Sequence, residues 1–342
     1  MNEMSTAGER HLAVPLPTEH LSEAARRRIR HSVPESTRRV YAGDLRRYVS
    51  WCADRGRAPL PATAADLAEY ASHLADAGKA AATIERALAA IATAHRAAGL
   101  DRPDTTLARA VLRQHRRELA DAGRTVRKAA PVTVTALRAM VAALDTGTLA
   151  GVRDRALLVV GFALGARRSE LVRLDIADVQ VVEQEGLQVT IRRSKTDRDS
   201  AGRIVALPYG SHPDTCPVRT MRAWLDALAS HGVTTGALFR RIDRYGTLGR
   251  APHGRGEPDG RLTGQAVAII VRRAAQRAGL DPASAFSGHS LRRGFATETY
   301  AAGADPLRIA RHGGWKDGSA TLLGYIEEVD RWKANPLVGV GL

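Results

Sequence analysis

The stretch Ser287–Tyr325, SGHSLRRGFATETYAAGADPLRIARHGGWKDGSATLLGY, organises the reading of this chain. It opens with His289 and Arg292, three residues apart and therefore on one face of a helix. It runs through Trp315 and ends on Tyr325. Upstream stand Arg167 in LGARRSEL and Lys195 in RRSKTDRDS. A permanently charged guanidinium, an ammonium that can release its proton, an imidazole, an indole N–H and a phenol are the parts of a phosphate-handling site.

Each part carries a distinct chemistry. Tyr325 is one of seven tyrosines, and a phenol with a pKa near 10 costs about 4 kcal/mol to ionise at pH 7. It can attack phosphorus only beside groups that lower this barrier or take the proton. Arg167 and Arg292 are candidates to clamp a phosphate, because the guanidinium fork matches two non-bridging oxygens and offsets charge in a five-coordinate transition state. Lys195 stands out because the chain has only five lysines. His289 falls near the start of its helix, where backbone N–H groups favour an anion. Trp315 offers one N–H, and Glu170, three residues after Arg167, is a candidate to orient a group of the site.

The order Arg, Lys, His-x-x-Arg, Trp, Tyr resembles the catalytic series of the tyrosine recombinases, the phage integrase family. GARRSEL resembles the family's T-G-x-R-x-S-E-L, and HSLRRGFAT resembles its H-x-L-R-x-x-F-A-T. In this register Arg168 and Arg293 are neighbours outside the series. Trp315 stands where many members have histidine, and His312 is a second candidate for that donor. Leu164 and Ala166 depart from the family's pattern around Arg167, and the interval from Trp315 to Tyr325 contains Gly318.

The resemblance implies that Tyr325 is the nucleophile, that Lys195 is the general acid toward the departing 5′ oxygen, and that His289 assists proton transfer. It implies cleavage and rejoining of duplex DNA through a 3′-phosphotyrosyl link, with strand exchange via a Holliday junction and with no metal, cofactor or ATP. The partners it implies are double-stranded DNA with paired inverted-repeat half-sites and a homotetramer assembled on two sites, with the tail after Tyr325 lent to a neighbouring protomer. A type IB topoisomerase or telomere resolvase shares this chemistry, and a DNA-binding regulatory protein with a silent site is the reading from another class. The target sequence, and whether the role is integration, excision, inversion or multimer resolution, stay open.

The rest of the chain fits a nucleic-acid partner. Its 342 residues suffice for two cores. The net charge of +15 favours a polyanion, since each neutralised phosphate releases counterions. Residues 1–128 hold 22 basic and 15 acidic side chains and residues 129–342 hold 29 and 21, so the excess is shared almost evenly. Two cysteines far apart, Cys52 and Cys216, argue against a disulfide framework or cysteine-rich zinc site. The absence of a long apolar run or a basic-then-apolar start leads us to expect a cytoplasmic protein, nucleoid-associated when bound to DNA.

Periodicity and punctuation divide the chain into a flexible arm at 1–20, a helical core-DNA-binding domain at 21–122 (SAM-like by the resemblance), a basic linker at 123–131 and a catalytic domain at 132–342. Helices are expected at 36–55, 63–77, 80–98, 104–121, 133–144, 151–165, 215–231 and 264–278. Val- and Ile-rich segments at 179–183, 187–192 and 203–207 predict a small antiparallel sheet. The fold class is therefore mainly α with that sheet in the C-terminal domain, and the resemblance implies a two-domain, C-shaped clamp on DNA. In the helix at 36–55, Val40, Tyr41, Leu45, Tyr48, Val49 and Cys52 form the expected apolar face, with Arg38, Arg39, Arg46 and Arg47 on another. These arginines, with Arg86, Arg127, Lys128, Arg272 and Arg273, are the expected DNA contacts. DRYGTLGRAPHGRGEPDGR, ending at Arg261, reads as a loop without structure of its own.

Overall fold

The computed structural model describes residues 22–124, 129–192, 202–249 and 258–333, with 335, 337 and 340 of the tail. Lys195, Arg127, Lys128 and the expected arm at 1–20 lie outside the described residues. The chain forms two compact units, Met1–Val126 and Arg127–Leu342.

The described part of the first unit is helical: α1 (Glu23–Ser32), α2 (Glu35–Ala53), α3 (Ala64–Asp76), α4 (Ala81–Ala97) and α5 (Thr106–Asp121). Helix α3 starts where the Thr63 side chain accepts from the Asp66 amide and the Asp66 carboxylate accepts from the Thr63 amide, a reciprocal cap. The core joins Tyr48, Trp51 and Cys52 of α2 to Leu67, Tyr70 and Leu74 of α3, Ile84, Leu88 and Ile91 of α4 and Leu112 of α5.

The buried stripe of α2 differs from the expected one. Val40 and Val49 are each 42% exposed, whereas Trp51 and Asp44 are buried. The carboxylate at Asp44 is tolerated because it accepts from Arg86 Nε at 2.7 Å and Nη2 at 3.2 Å, and also from Arg47. Burial alone would raise the Asp44 carboxyl, but the hydrogen bonds from Arg86 and Arg47 hold it below its ordinary value. Two of the arginines expected to reach DNA therefore also have an internal partner.

The second unit contains α6 (Val134–Ala142), α7 (Leu149–Ala163), α8 (Arg168–Leu171), β1 (Val179–Val182), β2 (Gly186–Ile191), β3 (Arg203–Pro208), α9 (Pro217–Ser230), α10 (Gly264–Arg277), α11 (Ser290–Ala301), α12 (Pro306–Gly313) and α13 (Ala320–Lys333). The strands form an antiparallel sheet in the order β1-β2-β3, with Val189 opposite both Val179 and Val205. Leu187, Val189 and Ile191 point inward with Val205 and Leu207, while Ile204 is 64% exposed, the alternation a half-buried sheet requires. Between β3 and α10, the described residues of the expected loop pair locally, Ile242 with Leu248 and Arg240 with Arg261. The described residues of that segment therefore have more order than its composition predicts.

Helix α7 is the axis of this unit. Leu157, Leu158, Val159 and Val160 are all buried, so the second half of the helix is apolar around its circumference. Leu157 and Val160 join the core under the sheet and α9, while Leu158 and Val159 join a second core with α6, α10 and Leu291. Each fully buried leucine contributes roughly 1.5–3 kcal/mol. The end of α7 is thereby fixed, and the chain that leaves it carries the first residue of the site.

Candidate phosphate-binding active site

Just past the end of α7 stands Gly165, whose φ of +54° suits glycine and where a Cβ would stand 2.5 Å from the Phe295 ring. This turn brings Arg167 to the start of α8. The Glu170 carboxylate reaches back, accepting from the Arg167 amide at 3.1 Å and from Arg167 Nη1 at 2.7 Å. Arg167 Nη2 donates to the Gly314 carbonyl at 3.4 Å. The α7–α8 turn is thus joined to the turn that follows α12.

Arg292 lies on α11, one turn after His289, which is the residue preceding that helix. It is 3% exposed. Its Nη1 donates to the carbonyls of Gly165 and Gly313, each at 2.5 Å, and its guanidinium carbon lies 3.5 Å from the Trp315 ring centroid. Such a cation–ring contact stabilises by up to about 2 kcal/mol when desolvated. Its Nη2 is buried without a hydrogen-bond partner among the described residues.

Tyr325, on α13, is half-buried beside this pair, with its ring edge-on to Trp315 at 6.4 Å between centroids. Trp315 in turn stacks on Phe295 at 6.5 Å, so it packs in a core and contacts Arg292 at once.

The electrostatics are lopsided. Burial and then the charge of Arg167 push the Arg292 guanidinium down to about 9. A guanidinium does not deprotonate in proteins, so the physical content of that shift is an uncomfortable cation that a bound anion would relieve. Arg203 is likewise lowered by burial and by Arg167. Burial alone would raise the Glu170 carboxyl, yet Arg203 and Arg167 hold it below the usual range. Three guanidiniums thus share one carboxylate, and the excess positive charge suits a phosphate.

The structure brings together Arg167, Glu170, Arg292, Trp315 and Tyr325. His289 is exposed before α11, and Lys195 falls outside the described residues. His312 does not stand in for Trp315: its Nε2 meets the Ala163 carbonyl at 2.8 Å, its ring stacks on Phe295, and burial lowers its pKa, favouring the neutral ring. Arg168 is exposed, its stem against Gly288 and Gly264.

Two further arginines join the cluster: Arg203, which the sequence did not single out, and Arg293, which its register placed outside the series. Arg203, the first residue of β3, donates to Glu170 at 3.2 Å. Arg293 is buried, pairs with Glu328 of α13 and donates to the Ala129 carbonyl, with its guanidinium 5.5 Å from the Tyr325 ring centroid. Neither carries a local sequence signal among 46 arginines; only the inward position at the head of β3 singles out Arg203. Of the expected DNA contacts, Arg39, Arg46, Arg47, Arg272 and Arg273 are exposed, and Arg38 and Arg86 are half-buried.

Comparison with known proteins follows the same lines. Residues 132–330 match the phage integrase family, and residues 28–101 match the phage integrase N-terminal SAM-like domain. The chain is 34% identical over 323 residues to an integrase/recombinase xerD homolog of Selenomonas ruminantium, covering 93% of this chain and 89% of that one. It is 26% identical over 326 residues to recombinase cre of Escherichia phage P1, covering 92% of each. Its fold is similar to that of a XerH site-specific recombinase crystallised with palindromic difH substrate, with a TM-score of 0.59 at 16% identity over 92% of this chain and 82% of that one. A helical chain with a small three-stranded sheet and this degree of likeness belongs to the phage integrase family and is a tyrosine site-specific recombinase.

Proposed function

We propose that this protein cleaves and rejoins duplex DNA at specific sites with Tyr325 as its nucleophile. The Tyr325 phenolic oxygen forms a bond to phosphorus, the bond from phosphorus to the 5′ oxygen breaks, and a 3′-phosphotyrosyl link and a free 5′-hydroxyl result. His289 assists removal of the phenolic proton, and Lys195 delivers a proton to the departing 5′ oxygen. Arg167 and Arg292 hold the non-bridging oxygens and offset the added negative charge, with the Trp315 N–H as a further donor. A 5′-hydroxyl from a second duplex then reverses the attack, leading through a Holliday junction to recombined strands.

The observation that carries this reading is Arg292 Nη2, a buried charged donor left without a partner among the described residues, beside Tyr325, Trp315 and a second arginine. Leaving such a group unsatisfied costs about 1–3 kcal/mol or more, and a phosphate oxygen would satisfy it. Bond energy is retained in the phosphotyrosyl ester, so the reaction needs no ATP, and the guanidiniums supply the charge that a metal would otherwise provide. The working assembly in this reading is a homotetramer on two DNA sites with inverted half-sites, built from an N-terminal domain at 21–122, a basic linker at 123–131 and a catalytic domain at 132–342. Exposed arginines of α2 and α10, among them Arg46 and Arg272, contact backbone phosphates.

The test uses duplexes from DNA flanking the native gene, nicked so that the released 5′ end diffuses away. In excess EDTA, wild type should give a protein–DNA adduct on a denaturing gel. Tyr325→Phe should bind the same duplexes and give none. Loss of the wild-type adduct in EDTA, or an adduct from the phenylalanine variant, would overturn the mechanism.

A further inference from the structure

Arg203 stands at the head of β3, opposite Ile191, with its side chain only 15% exposed. Its Nη2 donates to Glu170 Oε2 at 3.2 Å and its Nε to the His312 carbonyl at 3.2 Å. It also fills the space over Gly314, whose φ is +68° and where a Cβ would collide with Arg203 Nη1. One side chain therefore ties three segments far apart in sequence: the sheet, the α7–α8 turn that carries Arg167, and the turn that presents Trp315.

We propose that Arg203 is a positioning residue for the transesterification site, holding Glu170 and the His312–Gly314 turn so that Arg167 and Trp315 face the scissile phosphate at a fixed angle. This rests on the recombinase reading of the site. Arg203 acts through its neighbours, because its Nε and Nη2 are directed at protein oxygens. A lysine would not replace it, since a single ammonium cannot reach a carboxylate and a carbonyl in the divergent directions that the planar fork spans.

The same geometry makes Glu170 a divided resource. Its Oε1 accepts from Arg167 Nη1, while its Oε2 accepts from both the Arg167 amide and Arg203. The charged groups facing it are Arg167 from the α7–α8 turn, Arg203 from β3 and Arg292 from α11, with His312 of α12 beside Arg203. Removing the Arg203 charge takes away a cation that favours ionised Glu170, so the carboxyl protonates at higher pH. A proton on Glu170 removes the charge that aligns Arg167.

The experiment compares wild type, Arg203→Met and Arg203→Lys, each full length, by the single-turnover rate of adduct formation on the nicked duplex that wild type cleaves, measured from about pH 3.5 to about pH 8, so that the scan reaches the range where carboxyls titrate. Arg203→Met should be slowed by about 100-fold, the scale of a loss of alignment at a reacting centre. The acid limb of its rate profile should move to higher pH, a change that mere loosening of the fold would not produce. Duplex affinity should stay at the wild-type level, and Arg203→Lys should fall between the two. A wild-type rate and an unmoved profile in Arg203→Met would overturn the proposal while leaving the recombinase reading intact. Failure of wild type itself to form any adduct would overturn both. If thermal melting shows Arg203→Met to be unfolded, Arg203→Lys decides: slowed chemistry at wild-type affinity supports the proposal, and a wild-type rate ends it.

Discussion

Arg292 is a permanently charged side chain held at 3% exposure by two carbonyls and an indole face, with one donor unsatisfied. At the residue scale its counterweight is Glu170, the buried carboxylate of the cluster. Breaking a buried ion pair costs about 3–5 kcal/mol, so Glu170→Gln should destabilise the protein by about 3 kcal/mol at pH 7. The sign of the pH dependence follows from the direction of the shift. The folded Glu170 carboxyl lies below its ordinary value, so its contribution is present above the unfolded value of about 4.3 and is lost as the pH falls through the lower folded value. Urea unfolding of wild type and Glu170→Gln at pH 7 and near pH 3 measures it: the gap should narrow in acid. A gap constant with pH would mean that Glu170 gains no charge-dependent stability from its arginines.

At the element scale, two turns decide how the helices meet. Helix α7 is fixed by burial on both sides, and Gly165 lets the chain reverse against Phe295 while offering its carbonyl to Arg292. Gly165→Ala adds left-handed strain of about 1–2 kcal/mol, and the overlap with Phe295 adds about 1–3 kcal/mol more. A loss of about 2–5 kcal/mol in urea midpoint analysis is expected, together with slower adduct formation, because the carbonyl that orients Arg292 moves with the turn. A fully active, equally stable Gly165→Ala would show that the turn is unimportant to the site. Helix α2 shows where periodicity misleads. Its arginine face was legible, yet the inward stripe shifts onto Trp51 and Asp44 because Arg86, on another helix, supplies Asp44 with a partner.

On the scale of the whole molecule, the charge of +15 is spread over both parts of the chain. A protein that makes about 6–10 phosphate contacts loses about 10³–10⁵ in affinity between 50 and 200 mM salt. Titration of Tyr325→Phe against a random duplex over that range should show a linear log–log slope of comparable size. A flat response would mean that the basic surface does not contact DNA and would move the reading away from a DNA enzyme. Glu35, Asp44 and Asp154 hold Arg39, Arg47, Arg86 and Arg153 in ion pairs, so the effective number of phosphate contacts should be well below the count of arginines.

Most of the helices and the three strands were legible along the chain, because 3.6- and 2-residue periodicities with glycine and proline breaks are local signals, whereas α8, α12 and α13 were not among the expected helices. The sequence by itself also singled out the candidate site residues Arg167, Glu170, His289, Arg292, Trp315 and Tyr325, because their spacing and their neighbours carry a family pattern. The tertiary structure alone decided which charges share a carboxylate. Arg203 and Arg293 meet Glu170 and Tyr325 only because α7, α11, α13 and β3 converge, and a guanidinium's partner depends on which backbone segments pack beside it. The tertiary structure likewise showed that Arg292 is buried with a donor that has no partner among the described residues, since desolvation belongs to the packed core and has no period along the chain.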